Sequence, residues 1–197
     1  MLKFKKKLIL ASQSPRRKHL LETIGLSFEI IPAEIDEVFQ STEPDIIVKD
    51  LAYKKAVSIE EQISDEAIII SADTIVVLDN EILNKPIDEN NAFEMLSKLS
   101  NRFHEVYTGI TIINKSENVS SYIIDYEVTK VKFRQLDSDE IWDYIKSGSP
   151  MDKAGAYGIQ DDFGSVFVEK IEGCFYNVVG LPLQLVYKHL KQIENEN

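Results

Sequence analysis

Asp73 interrupts "AIIISADTIVVL", otherwise one of the most strand-like runs in the chain. An ionised carboxylate inside such a run is strongly disfavoured unless it meets a cation, a metal or several donors. Two readings follow: a strand end in a tight turn satisfied by Ser71 and Thr74, or a catalytic acid–base or metal ligand. The apolar run resumes at once after Asp73, which favours the second. Lys55 raises the same question on a helix. It falls inside the stripe of Val48, Leu51, Ala52, Ala56 and Ile59, whereas Lys54 points off it. A lysine there either snorkels at the edge of the core or reaches a partner in a cleft. The third signal is "LILASQSPRRKHLLETIG". It sets Arg16 and Arg17 in the first turn of a helix, the end where the helix dipole disfavours cations. With the Ser12 and Ser14 hydroxyls and the open helix N–H groups, the two guanidiniums compose a phosphate clamp. A Ser-Pro cap flanked by surface arginines is the plain alternative.

Other stretches carry weaker chemistry. "MDKAGAYGIQ" packs Ala154, Gly155, Ala156 and Gly158 between the polar residues Asp152, Lys153 and Gln160. Small residues permit unusual backbone angles or close approach to a ligand, and Gln160 both donates and accepts, as a reader of base edges must. Lys85-Pro86 follows a hairpin, and Asp36 and Glu37 form a carboxylate pair of a kind seen both in solvated loops and in metal sites. His104 reads as a hydrogen-bonded structural histidine. The three histidines have no ligand spacing, which argues against zinc. Gly-x-Gly-x-x-Gly and Walker patterns are absent. Basic groups converging with carboxylates able to hold a divalent cation are what phosphate-ester chemistry needs. From the residues alone, this is an anion-binding α/β protein acting on a phosphate-bearing small molecule.

The elements that must position these residues alternate between strand and helix, the pattern of a mixed α/β fold. A buried strand over 8–11 precedes a helix opened by Ser14-Pro15 and ended by Gly25. Residues 27–36 predict a short strand running into a loop, and 43–63 a helix. Residues 67–86 predict a strand and hairpin turning at Asp79-Asn80. A helix at 87–100, long strands at 104–114 and 120–136, a well-capped helix at 137–148, a small-residue segment leading into a strand at 151–171 and a closing helix at 180–193 complete the chain. No repeat, low-complexity tract or linker marks an internal boundary.

The 197 residues suffice for one large domain, or one with two lobes. A formal net charge of -11 disfavours non-specific binding to nucleic acid or membrane surfaces. The single cysteine, Cys174, excludes an internal disulfide and a cysteine zinc cluster, which makes the cytoplasm the natural compartment. The apolar part of "MLKFKKKLILA" is too short for a signal-peptide core, and no run is long enough to span a membrane.

The same residues carry a resemblance. "LILASQSPRRKHLL", "SADTIVVLDNEILNKP", "FHEVYTGI", "PMDKAGAYGIQ" and "NVVGLPL" stand in the order and spacing of the Maf family, and the likeness spans about residues 8–190. The resemblance implies a nucleoside triphosphate pyrophosphatase of the house-cleaning type, which cleaves between the α and β phosphates. It further implies a mixed twisted sheet with flanking helices in two lobes around a deep cleft, a divalent metal cation (Mg or Mn) and a homodimer. Arg16, Thr74 and Gln160 match the subgroup acting on dTTP and UTP rather than the one acting on methylated GTP. By the same carry-over, Asp73 is the proton acceptor and Glu37 helps hold metal or water, the two together being the metal ligands. Lys55 and Lys85 neutralise phosphates, and Ser12, Ser14, Arg16 and Arg17 grip the triphosphate and read the base. An inosine or xanthosine triphosphate pyrophosphatase and a non-enzymatic nucleotide-binding regulator of cell division are the alternatives. The chain departs from the family at Asn101, where Gly is usual before Arg102, and at Asp161-Asp162, where Gly is usual after Gln160.

Overall fold

The computed structural model describes residues 2–160 and 163–196. Its strands are β1 (Lys7–Leu10), β2 (Glu29–Ile30), β3 (Ala67–Leu78), β4 (Glu81–Leu83), β5 (Phe103–Lys115), β6 (Ser121–Phe133) and β7 (Val168–Glu172). Its α-helices are α1 (Pro15–Thr23), α2 (Pro44–Gln62), α3 (Glu89–Leu99), α4 (Ser138–Lys146), α5 (Phe175–Val179) and α6 (Leu183–Glu196). Among the described residues these strands form one seven-stranded mixed sheet in the order β2-β1-β3-β5-β6-β7, with β4 paired to β3. The chain falls into two compact units, the first Met1–Asp73, Thr108–Glu127 and Gly180–Asn197, the second Thr74–Tyr107 and Val128–Val179. Among the described residues no helix is long and apolar enough to cross a membrane.

In the first unit β1 pairs in parallel with β2 and β3, Ile9 facing both Glu29 and Ile69 in register. Both strands are apolar because parallel strands are covered on both faces. The helix α2 lays Ile47, Val48, Leu51, Ala52, Ala56 and Ile59 inward, and Ala56 and Ile59 join Ile9, Ala11, Ala67, Ile69 and Ile113 in a core cluster. Two small residues let α2 approach this closely. A Cβ at Gly109 would stand 2.7 Å from the Lys49 nitrogen and closer still to the Val48 carbonyl. The Ser71 hydroxyl, fully buried in β3, donates to the Ala52 carbonyl at 2.6 Å. At the other end Lys115 Nζ donates to the Glu60 and Ile63 carbonyls at 2.7 and 2.5 Å, satisfying carbonyls that the helix cannot.

In the second unit β3 turns into β4 at Asp79 and Asn80, both with positive φ (50° and 67°), as a two-residue hairpin of the primed type requires. Asp88 caps α3 by accepting from the Asn91 N–H at 2.7 Å, and the Glu140 carboxylate reaches back to the Asp137 N–H at 2.8 Å ahead of α4. The 3₁₀ turns Ser149–Asp152 and Ala154–Ala156 carry the small-residue segment, and β7 pairs antiparallel with the end of β6.

Most elements follow the sequence expectation within two or three residues. Three differences have physical reasons. The strand β3 runs unbroken through Asp73, so the tight-turn reading of that residue is excluded. The closing helix starts at Leu183, because Pro182 supplies the carbonyl for the Leu185 and Val186 N–H groups and cannot itself continue a ladder. The one-turn helix α5 was not anticipated, being shorter than any periodic signal. The departure at Asn101 is conformationally mild: its φ is 58°, the left-handed region that glycine enters freely and asparagine enters most readily of the others. Asp161 and Asp162 lie outside the described residues.

Gly109→Ala is expected to lower stability by about 3 kcal/mol, since overlap with backbone atoms leaves no flexible neighbour to yield. The urea midpoint measures it; a midpoint equal to that of the wild type would mean that α2 does not contact β5 through its backbone.

Candidate functional site

The site grows from the first unit. Lys55, three residues beyond Ala52 on α2, extends along the sheet to the Asp73 carboxylate of β3, and its ammonium lies 2.5 Å from Asp73 Oδ1 and 2.6 Å from Glu37 Oε1. The Lys55 and Asp73 side chains are only 12% and 10% exposed, whereas Glu37 is 51% exposed. One cation therefore answers the question that the apolar patterns posed at both residues: each is the other's partner. Glu37 stands on the loop between β2 and α2. The neighbouring Lys54, which points off the stripe, donates to the Val38 carbonyl at 3.2 Å, so two adjacent lysines hold the loop that brings Glu37 in.

The strand–helix junction completes this wall. Ser14 caps α1, its hydroxyl accepting from the Arg17 N–H at 3.4 Å, with Pro15 at the first helical position. The Ser12 hydroxyl accepts from the Ser14 N–H and from Arg17 Nη1, both at 3.2 Å. Arg17 Nε donates to the Gly180 carbonyl at 2.9 Å. Burial lowers the Arg17 pKa from its ordinary value, and the nearby Asp73 and Glu37 carboxylates oppose that shift while Arg16 adds to it. Arginine stays charged in any protein environment, so Arg17 is a desolvated cation in a fixed geometry, within the fields of both carboxylates. The Ser-Pro cap is present, and Arg17 is held by the Ser12 hydroxyl and the Gly180 carbonyl.

The remaining residues belong to the second unit. Thr74 follows Asp73 on β3 and is half-buried, while Lys85 and Gln160 are exposed. The Gly155 N–H donates to the Asn84 carbonyl at 3.2 Å, which docks the 154–156 turn on the hairpin end next to Lys85. Asp152 and Lys153 are structural: Lys153 Nζ, buried, bonds Asp152 Oδ1 at 2.7 Å and the Ser149 carbonyl at 2.5 Å. His104 donates or accepts through Nε2 to the Tyr157 hydroxyl at 2.8 Å, as a structural histidine should.

Among the described residues no group of three or more His, Cys, Asp or Glu side chains is placed to hold a metal. Glu37 and Asp73 are the carboxylates that share one cation. Gly109 and Gly180, which act through backbone geometry and a backbone carbonyl, were not singled out from the sequence, and Ser71 was weighed only as a turn partner of Asp73, whereas its hydroxyl ties α2 to the sheet. Gly109 in "YTGI" was visible as a glycine inside a strand, a sign of close backbone approach.

Residues 7–193 match the family described as Maf-like protein. A protein of Caldanaerobacter subterraneus subsp. tengcongensis, named dTTP/UTP pyrophosphatase, is 51% identical over 186 residues, covering 94% of this chain and 88% of its own. Proteins of the same name from Clostridium perfringens and Aquifex aeolicus are 46% and 44% identical, covering 95% of this chain and 97% and 95% of theirs. Among solved structures, a HAM1 protein from Coxiella burnetii superposes with a TM-score of 0.51 at 13% identity, covering 95% of this chain and 99% of that one; the likeness is one of fold.

Lys55→Met leaves two carboxylates facing each other without their cation and is expected to cost about 2 kcal/mol, less than a fully buried pair because Glu37 is open to water. In the Lys55→Met/Asp73→Asn double variant part of that loss should return, with a coupling energy above about 1 kcal/mol in urea unfolding. Additive effects of the two substitutions would contradict the pairing.

Proposed function

Because this chain belongs to the Maf-like protein family, we propose that it is a nucleoside triphosphate pyrophosphatase. Its substrates are dTTP and UTP, with modified pyrimidine nucleotides as further substrates of a house-cleaning role, and its products are the monophosphate and pyrophosphate. The observation that carries this reading is the convergence of Glu37 and Asp73 on Lys55 beside the desolvated Arg17. The relatives' shared name supplies the substrate class.

In the proposed reaction a water oxygen bonds to the α phosphorus, the bond from that phosphorus to the α–β bridging oxygen breaks, and pyrophosphate leaves. Asp73, as a carboxylate, takes the water's proton. Arg17 and Lys55 stabilise the charge that grows on the phosphate oxygens, with no reorganisation to make because both are already held. Ser12, Ser14 and Arg16 grip the phosphate chain, Lys85 adds a further cation, and Arg16, Thr74 and Gln160 select the base.

Of the first-unit residues assigned to this site, three are cations (Arg16, Arg17 and Lys55) and two are carboxylates (Glu37 and Asp73), an excess of one positive charge. A triphosphate brings more negative charge than that excess balances, which is the chemical reason for a divalent cation. The donor set suits Mg²⁺ or Mn²⁺: Glu37 and Asp73 offer only oxygen, they already share one cation, and Mg²⁺ binds through one or two carboxylates plus substrate phosphates. When bound, such an ion would supply Lewis-acid neutralisation of the phosphate oxygens. We further place the protein in the cytoplasm as a homodimer that acts on free nucleotides, without nucleic-acid or membrane partners.

A panel of nucleoside triphosphates with Mg²⁺ or Mn²⁺ tests the reading. Pyrophosphate release is expected from dTTP and UTP at least tenfold faster than from GTP or ITP, and chelation of the metal should abolish it. Preference for ITP or XTP, or tight nucleotide binding without hydrolysis, would overturn the assignment.

A further inference from the structure

The second unit holds a polar pair that packing alone does not call for. His104 on β5 and Tyr157 are 2% and 6% exposed, and His104 Nε2 lies 2.8 Å from the Tyr157 hydroxyl. Around them is an aromatic cluster. Their rings meet edge to face at 5.4 Å, and each meets Phe133 edge to face, at 5.0 and 4.7 Å. Two apolar side chains would fill this space at little or no cost, since exchanging both partners of a buried hydrogen bond for apolar groups is close to neutral. Keeping the pair also has a cost: His104 Nδ1 is buried without a hydrogen-bond partner among the described residues. Burial holds the imidazole down to about 3 and pushes the phenol upward, so the pair stays neutral at physiological pH.

What the pair does hold is a strained segment. Gly155 and Ala156 are consecutive residues of positive φ, 67° and 61°. For Ala156, which has a Cβ, that costs about 1–2 kcal/mol. The strain persists because the segment is tied at several points: Gly155 N–H to the Asn84 carbonyl at 3.2 Å, Ala156 N–H to the Lys153 carbonyl at 3.1 Å and Gly158 N–H to the Tyr144 hydroxyl at 3.2 Å. Tyr157 follows the strained residues directly and lies three positions before Gln160, so its ring orientation sets the direction in which the chain leaves the turn. The hydrogen bond adds a directional constraint to the edge-to-face packing, and strained backbone of this kind persists only where its surroundings over-determine it.

We propose that His104 and Tyr157 are positioning residues for substrate selection, their hydrogen bond fixing the turn that presents Gln160 to the base. This rests on the reading of Gln160 as a base-selecting residue. The test uses three variants and three readouts. Tyr157→Phe leaves the buried His104 without its partner and should lower the melting temperature; H104L/Y157F removes both polar groups and should recover most of that loss. Both are expected to lose selectivity alike, with the ratio of UTP to GTP affinity falling about tenfold in calorimetric titration and KM for UTP rising while kcat stays within about twofold. His104→Gln, whose amide can bond the tyrosine hydroxyl, should keep the ratio within about twofold of the wild type.

The proposal is overturned if H104L/Y157F selects UTP as the wild type does, if selectivity tracks melting temperature across the variants, or if His104→Gln loses selectivity as fully as the double variant. Wild-type protein that binds UTP and GTP equally would instead sink the base-selecting role of Gln160 itself.

Discussion

One ammonium group organises the first unit. Lys55 joins a carboxylate from the middle of a buried strand to one from a flexible-looking stretch of loop sequence, and it can do so only because α2 lies in backbone contact with the sheet. Gly109 removes the Cβ that would hold the helix away, Ser71 ties the Ala52 carbonyl, and Lys115 closes the helix end. An ion pair this sheltered is poor value as a stabiliser, because desolvating two charges costs about as much as their attraction returns. In the proposed reaction its role is chemical: it holds a carboxylate and a cation ready for a phosphate.

The strand–helix junction adds the second cation by a different device. The Ser14 cap and Pro15 fix where α1 begins, and that start puts Arg17 where the Ser12 hydroxyl and the Gly180 carbonyl hold its guanidinium. The dipole of α1 repels a cation at this end, and the fields of Asp73 and Glu37 offset that repulsion. In the proposed reaction an incoming phosphate meets donors whose orientation is already settled. The second unit uses steric and directional constraint instead of charge, with the left-handed turn at Gly155 and Ala156 tied to its neighbours by hydrogen bonds.

How much of this could be read in advance depends on where each residue's signal resides. Asp73 and Lys55 were legible because a charge inside an apolar period is anomalous whatever the fold. The Ser-Pro helix start, the Asp79-Asn80 turn and the buried strand at 8–11 were legible from local chemistry. Neither residue, however, announces that it is the other's partner, since they are joined through a helix–sheet contact between distant segments. Gly180 acts by a carbonyl, which every residue possesses, so its type says little, and the types of Gly109 and Ser71 do not say which backbone they meet. Asn101 looked like a departure until its positive φ explained it. His104 was legible as a hydrogen-bonded structural histidine, but its partner Tyr157 was not, being an ordinary residue in a distant segment.

The central claim is that the Asp73 carboxylate, held on Lys55, accepts the proton of the attacking water. Turnover of dTTP by Asp73→Asn, measured beside its nucleotide affinity, tests it most directly. The amide keeps the shape and removes the basic oxygen, so kcat is expected to fall by at least about a hundredfold, the lower range for loss of a general base, while nucleotide affinity changes by less than about threefold. Turnover within a few-fold of the wild type in a folded, nucleotide-binding Asp73→Asn protein would contradict it.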